Sequence, residues 1–186
     1  MNLTTTRAIF RPIWHVPYFL LTTMAVFLTF FLHGFAHWLV GKYLGEEITI
    51  NFNPAHTIDQ AYGQEGNQLP IILAGPVFTL LQAIYFFYVM KRGRDTILYP
   101  FLLAPVMMRV LAGIMNFVNP NDEGLVSLSV GLGLFTLPVL TCIFLLYLVF
   151  KTSVSYQMEI KFNLQIIALV LVISLFLILL NQYSVR

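Results

Sequence analysis

Five long apolar runs constrain this chain more than any other feature. The first covers residues 16–44 and contains no acidic side chain and a single lysine, Lys42. As a helix rising 1.5 Å per residue it would be about 43 Å long against a bilayer core of about 30 Å, so it must tilt or project. Further runs cover about residues 69–90, 97–118, 125–150 and 164–180. With 59% hydrophobic and 10% charged residues over 186 positions, the chain carries more apolar surface than a soluble domain of its size can bury. The expected architecture is an all-α integral membrane protein with about five transmembrane helices, set in the lipid bilayer as one multi-pass domain over residues 1–186.

Other function classes fall away on composition. The formal net charge is only +2 and the basic residues are scattered, which excludes a nucleic-acid partner. Cys142 is the single cysteine and lies in an apolar run, which excludes an internal disulfide and a cysteine-based metal site. Arg7 and Arg11 precede the first run as they would in a secretory signal. That run is longer than a signal's apolar region and ends at no small-residue cleavage site, so it is expected to be a retained span.

Polar residues inside the apolar runs are few, which makes each informative. His33 and His37 stand four positions apart in the first run. On a helix they share one face, one turn apart, so both imidazoles can reach one point beside it. H-x-x-x-H is the ligand half of the zinc motif H-E-x-x-H, but Gly34 occupies the position of the general base. Two readings fit: a pair of metal ligands, or two histidines bonded to neighbouring carbonyls. Arg109 lies roughly 15 Å of helix from either end of the third run, too deep to reach the interface, so it must face protein or water. An ion pair, a carbonyl contact or a bound ligand would each satisfy it.

Two polar segments flank these positions. Between residues 46 and 69, Ile48, Ile50 and Phe52 alternate with Thr49, Asn51 and Asn53 before Pro54, which predicts a short β segment in the loop after the first helix. An unpaired strand edge there can accept an extended peptide. His56 and Asp59 follow in the same loop and read as solvated residues. The second segment runs from Asn116 to Gly124 and holds the adjacent acids Asp122 and Glu123. Asn121 or Asp122 can cap the fourth helix, with Glu123 suiting its dipole, or Asp122 can serve as a ligand. The fourth helix is expected to bend at Pro138.

Topology brings these pieces to one side. With five alternating spans, the end of the first and the end of the third are co-sided, so His33, His37 and Asp122 can converge. The basic residues Arg7, Arg11, Lys91, Arg92, Arg94, Lys151 and Lys161 lie on the other side, which the positive-inside rule makes cytoplasmic.

Taken together, residues 30–125 resemble the site-2 protease family of intramembrane zinc metalloproteases. His33 and His37 match the family's zinc histidines, Ala74-Gly75-Pro76 resembles its A-G-P motif, and Asp122 before Gly124 resembles its D-G aspartate. The strand after the first helix is similar to the family's β segment near the active site. The resemblance implies a protease-like core over about residues 16–125, additional helices over about 125–182, and one zinc ion held by His33, His37 and Asp122. It implies partners that are transmembrane or membrane-proximal protein segments, bound along Ile48, Ile50, Phe52 and Asn116, in a bacterial-type cytoplasmic membrane.

The chain also departs from the family. Gly34 replaces the catalytic glutamate, Thr79 stands where the A-G-P motif continues to asparagine, and Glu123 separates Asp122 from Gly124. The charge rule puts the site on the outer side, whereas the family's site opens toward the cytoplasm. The expected function is a protease-like zinc protein with impaired catalysis that binds membrane-spanning clients. One alternative is an active protease using Glu123 or another group as base. The other is an ion or metal transporter whose polar path is lined by the histidines and Arg109.

Overall fold

The computed structural model describes residues 16–46, 68–93 and 96–184. They form six α-helices: α1 (Val16–Tyr43), α2 (Gln68–Gly93), α3 (Tyr99–Met115), α4 (Asp122–Ser129), α5 (Thr136–Ser155) and α6 (Ile160–Ser184). A single 3-10 turn, Thr96–Leu98, leads into α3. Five segments are long and apolar enough to cross a membrane: Tyr18–Tyr43, Gln68–Gly93, Thr96–Met115, Thr136–Ser155 and Ile160–Leu180. A multi-pass membrane protein is what such helices make. No strand occurs among the described residues, and the expected β segment at Ile48, Ile50 and Phe52 lies outside them, as do His56 and Asp59.

The bundle is arranged around α3. Of its span 61% is buried, against 22% for the spans of α5 and α6, and it packs on α1, α2, α5 and α6. Every residue from Tyr99 to Arg109 is buried. The outer helices instead expose large apolar side chains such as Phe144, Phe150, Val172 and Phe176, which is the surface a lipid-facing helix needs. Pro100 falls in the first turn of α3, where no helical N–H bond is lost.

Pro105 lies deeper in α3 and, lacking an N–H, leaves the carbonyl of Phe101 without its helical donor. Gln82 of α2 supplies a replacement, its Nε2 donating to Phe101 O at 3.4 Å and to Thr29 Oγ1 of α1 at 2.8 Å. One amide therefore ties three helices together in the apolar interior, where backbone groups have no water to turn to. At the other end of the bundle, Tyr156 Oη donates to Met90 O at 2.5 Å and Tyr99 Oη donates to Asn163 Oδ1 at 2.6 Å.

The fourth span differs from its expected form. Instead of one rod over residues 125–150 bent at Pro138, there is a short helix, α4, a non-helical link over residues 130–135, and then α5. Gly131 and Gly133 adopt φ of +75° and +81° in that link, a conformation that ends a right-handed helix and that side chains with a Cβ resist. Ser127 secures the break: its Oγ donates to Gly133 O and accepts from Leu137 N at 3.3 Å. Pro138 sits in the first turn of α5, where proline starts a helix instead of kinking it. The stretch between the last two apolar runs, residues 151–163, is mostly helical, and only residues 156–159 separate α5 from α6.

This account predicts different costs for three glycines. Gly131→Ala and Gly133→Ala should each destabilise the protein by about 1–2 kcal/mol, the cost of a left-handed Cβ residue. Gly93→Ala has an ordinary φ and open space around it, and should leave the thermal midpoint in detergent unchanged. Equal midpoints for all three variants would show that the link does not depend on its glycines.

Candidate metal centre

The i, i+4 spacing on α1 sets His33 and His37 on one face, their ring centroids 4.6 Å apart and their planes at 88°. Both are buried, at 2% and 4% exposure, so their nitrogens must find partners within the protein. The two Nε2 atoms are 3.1 Å apart. Asp122, the first residue of α4, closes the group: its Oδ2 lies 3.2 Å from His33 Nε2 and 3.4 Å from His37 Nε2. Three ligand atoms from two helices thus form a nearly equilateral triangle. A tetrahedral zinc site with bonds of about 2.0–2.1 Å has edges of about 3.3 Å, so one ion can touch all three atoms with little movement.

The hydrogen bonds around His37 sharpen this geometry. Its Nδ1 lies 2.7 Å from Ile71 O, and because a carbonyl only accepts, Nδ1 carries the proton and donates it. In the neutral ring Nε2 is then a lone pair, aimed at a carboxylate oxygen that also has only lone pairs. A hydrogen or a cation must sit within the group, either the proton of His33 Nε2, 3.1 Å from His37 Nε2, or a metal ion. Ile71 is one turn before Gly75 on α2, and the carbonyl that Pro76 leaves without a helical donor is that of the neighbouring Ile72. Gly75 passes so close to both rings that a Cβ there would overlap them. The Ala74-Gly75-Pro76 sequence therefore backs the histidines, and Thr79 bonds within its own helix, to Pro76 O at 2.9 Å and Gly75 O at 3.2 Å.

Asp122 is held in place from α3. Asn116 Oδ1 accepts from the backbone N–H of Asn121 at 2.9 Å, and Asn121 Nδ2 donates to Ala112 O. Asn121 occupies the N-cap position of α4 with extended backbone, but its side chain makes no cap bond and goes to α3 instead. Between the two roles open to Asp122, the structure turns its carboxylate onto the histidines. Burial works to raise the Asp122 carboxyl, but the two imidazoles against it outweigh burial and hold the group below the usual carboxylate range. Ionised, a carboxylate can bind a cation.

A second layer lies behind the triangle. Arg109 is 1% exposed, and its Nη1 is 3.6 Å from Glu123 Oε1 while its Nη2 is 3.4 Å from His33 Nδ1. The buried cation of the third span therefore has an acid partner on α4. Glu123 is pushed up by burial and by neighbouring Asp122, with Arg109 opposing the shift. It does not join the three converging ligands. Arg109 Nε, Glu123 Oε2 and Asn116 Nδ2 are buried without a hydrogen-bond partner among the described residues.

Sequence reasoning placed His33, His37 and Asp122 together, and the structure brings them together. It did not identify Ile71 O, which lends a backbone atom and leaves no trace in residue type, nor the contact between Arg109 and His33. Gly75 was visible only as part of a motif. Asn116, expected to bind substrate, is 3% exposed and supports α4, while Ile48, Ile50 and Phe52 lie outside the described residues. In comparisons with protein-family models, curated proteins and solved structures, nothing matches this chain.

The close backing of the rings leads to a paired expectation. Gly75→Ala should cost about 1–3 kcal/mol by overpacking and displace the histidines. Gly113→Ala, whose Cβ would meet Cys142 Sγ at an ordinary 3.6 Å, should be nearly neutral. Thermal unfolding of the two variants in detergent checks this, and equal stability would show that α2 can move away from the rings freely.

Proposed function

We propose that this protein is a multi-span membrane protein that holds one zinc ion through His33, His37 and Asp122, and that it is a protease-like scaffold with impaired catalysis. The observation that carries the reading is the triangle of ligand atoms, 3.1, 3.2 and 3.4 Å on its edges, in a buried pocket backed by a glycine. Two imidazoles and a carboxylate suit zinc and leave a fourth position open. A zinc ion bound there supplies Lewis acidity and lowers the pKa of a bound water.

The residues around the triangle provide little else that hydrolysis needs. Gly34 is buried beside His33 and has no side chain to take a proton. Glu123, the candidate replacement, directs one oxygen at Arg109 at 3.6 Å and does not join the three converging ligands. General acid-base catalysis contributes about 10²- to 10⁴-fold, and its loss leaves binding as the main activity. That the bound clients are membrane-spanning protein segments rests on the resemblance to the site-2 protease family.

Elemental analysis of the purified protein tests the metal. About one zinc per chain is expected from a site with three protein ligands, with loss in both His37→Ala and Asp122→Ala. An absence of zinc after supplementation in the native chain would leave the histidines as hydrogen-bonding residues. For catalysis, a model transmembrane substrate should be cleaved slowly or not at all by the native chain, and faster by Gly34→Glu. Efficient cleavage by the native chain that is lost in Glu123→Gln would instead make this a working hydrolase with Glu123 as base.

A further inference from the structure

The two histidines are held by opposite kinds of partner. His37 Nδ1 faces a carbonyl, an acceptor, which fixes its proton on Nδ1 and frees Nε2 for a metal. His33 Nδ1 faces Nη2 of Arg109 at 3.4 Å, and a guanidinium only donates. His33 Nδ1 is therefore the acceptor, and in the neutral ring the proton is on Nε2. There it is donated to Asp122 Oδ2 at 3.2 Å. The chain of donors from Arg109 through His33 to Asp122 is complete without any metal.

For His33 to bind a metal through Nε2, its proton must move to Nδ1. It would then face the N–H groups of Arg109, donor against donor, with both side chains buried. Charge acts in the same direction, because the guanidinium sets a positive charge 3.4 Å from a ring that would hold the cation.

Continuing from the metal-binding reading above, we propose that Arg109 is a positioning residue that makes the site's metal exchangeable, because it holds His33 in the arrangement suited to the metal-free state. Metal ligands are ordinarily backed by acceptors, and altering that backing changes affinity by about 10- to 100-fold. His37 has the acceptor and His33 has the reverse. The protein would then bind and release zinc with its supply, instead of holding it permanently.

The test is zinc affinity, measured by competition with a chromophoric chelator on the full-length protein in detergent. Arg109→Gln removes the charge and offers His33 an amide oxygen, and should bind zinc about tenfold more tightly or better, by the range for such backing partners. Arg109→Lys keeps the charge and only donates, and should stay near the native affinity. A gain in affinity cannot come from damage to the fold. Equal affinity in native and Arg109→Gln, or an equal gain in Arg109→Lys, overturns the inference while leaving the metal site standing. A native chain that binds no zinc overturns the metal reading itself. Should Arg109→Gln not fold, ¹⁵N-histidine spectra of the metal-free native protein decide, with His33 expected to carry its proton on Nε2 and His37 on Nδ1. A proton on Nδ1 of His33 overturns the inference.

Discussion

The guanidinium of Arg109, buried in the most enclosed helix of an apolar bundle, is the constraint to which the rest of this structure answers. A charge removed from water and unpaired costs several kcal/mol, and a membrane offers no compensation. Arg109 therefore has to draw partners out of other elements. Glu123 comes from α4 and His33 from α1, at 3.6 and 3.4 Å. Those contacts connect the first, third and fourth helices at one level, and the same level carries Asp122 and His37. The metal triangle and the arginine are one electrostatic unit, since His33 belongs to both.

That unit needs a carboxylate delivered into the bundle, and an uninterrupted span delivers one poorly. The broken fourth segment solves this. Asn116 and Asn121 fasten the start of α4 to the end of α3, so that Asp122 and Glu123 open a short helix inside the protein instead of lying at a membrane surface. The link over residues 130–135 then lets the chain begin a new helix, α5, that crosses on its own. Non-helical backbone is tolerated near a membrane where protein or polar side chains satisfy it, and Ser127 does so here. A helix broken beside its ligands is a recurrent way for membrane proteins to build a site.

The apolar runs made the spans legible, because twenty apolar residues in a row have few other uses. The triad was legible because histidine at i, i+4 and co-sided topology both follow from simple geometry. What the sequence concealed lies in atoms without a residue signature. Ile71 contributes a carbonyl that any residue would have offered, and Phe101 exposes one only because Pro105 follows four positions later. The break after α4 was hidden by its own composition: Gly131 and Gly133 lie among leucines and valines, and an apolar average does not register a positive φ. Pro138 was read as a bend because its distance from a helix start was unknown. The partner of Arg109 was left open for a similar reason, since depth in a span shows that a charge needs an answer but not which neighbour provides it.

Gly34 and Arg109 can now be understood together. A glutamate at position 34 would bring a negative charge and a base to the metal's edge. Glycine withdraws both, and Arg109 adds a positive charge beside His33. Each change lowers the attraction for a divalent ion, and glycine at position 34 also leaves no side chain there to take a proton. Among the described residues the acid left beside the triangle is Glu123, and one of its oxygens faces Arg109 at 3.6 Å. Two residues far apart in sequence, one lacking a side chain and one with the largest charged one, thus shift the site in the same direction. Under the proposed reading, such a site lets a cation settle and leave.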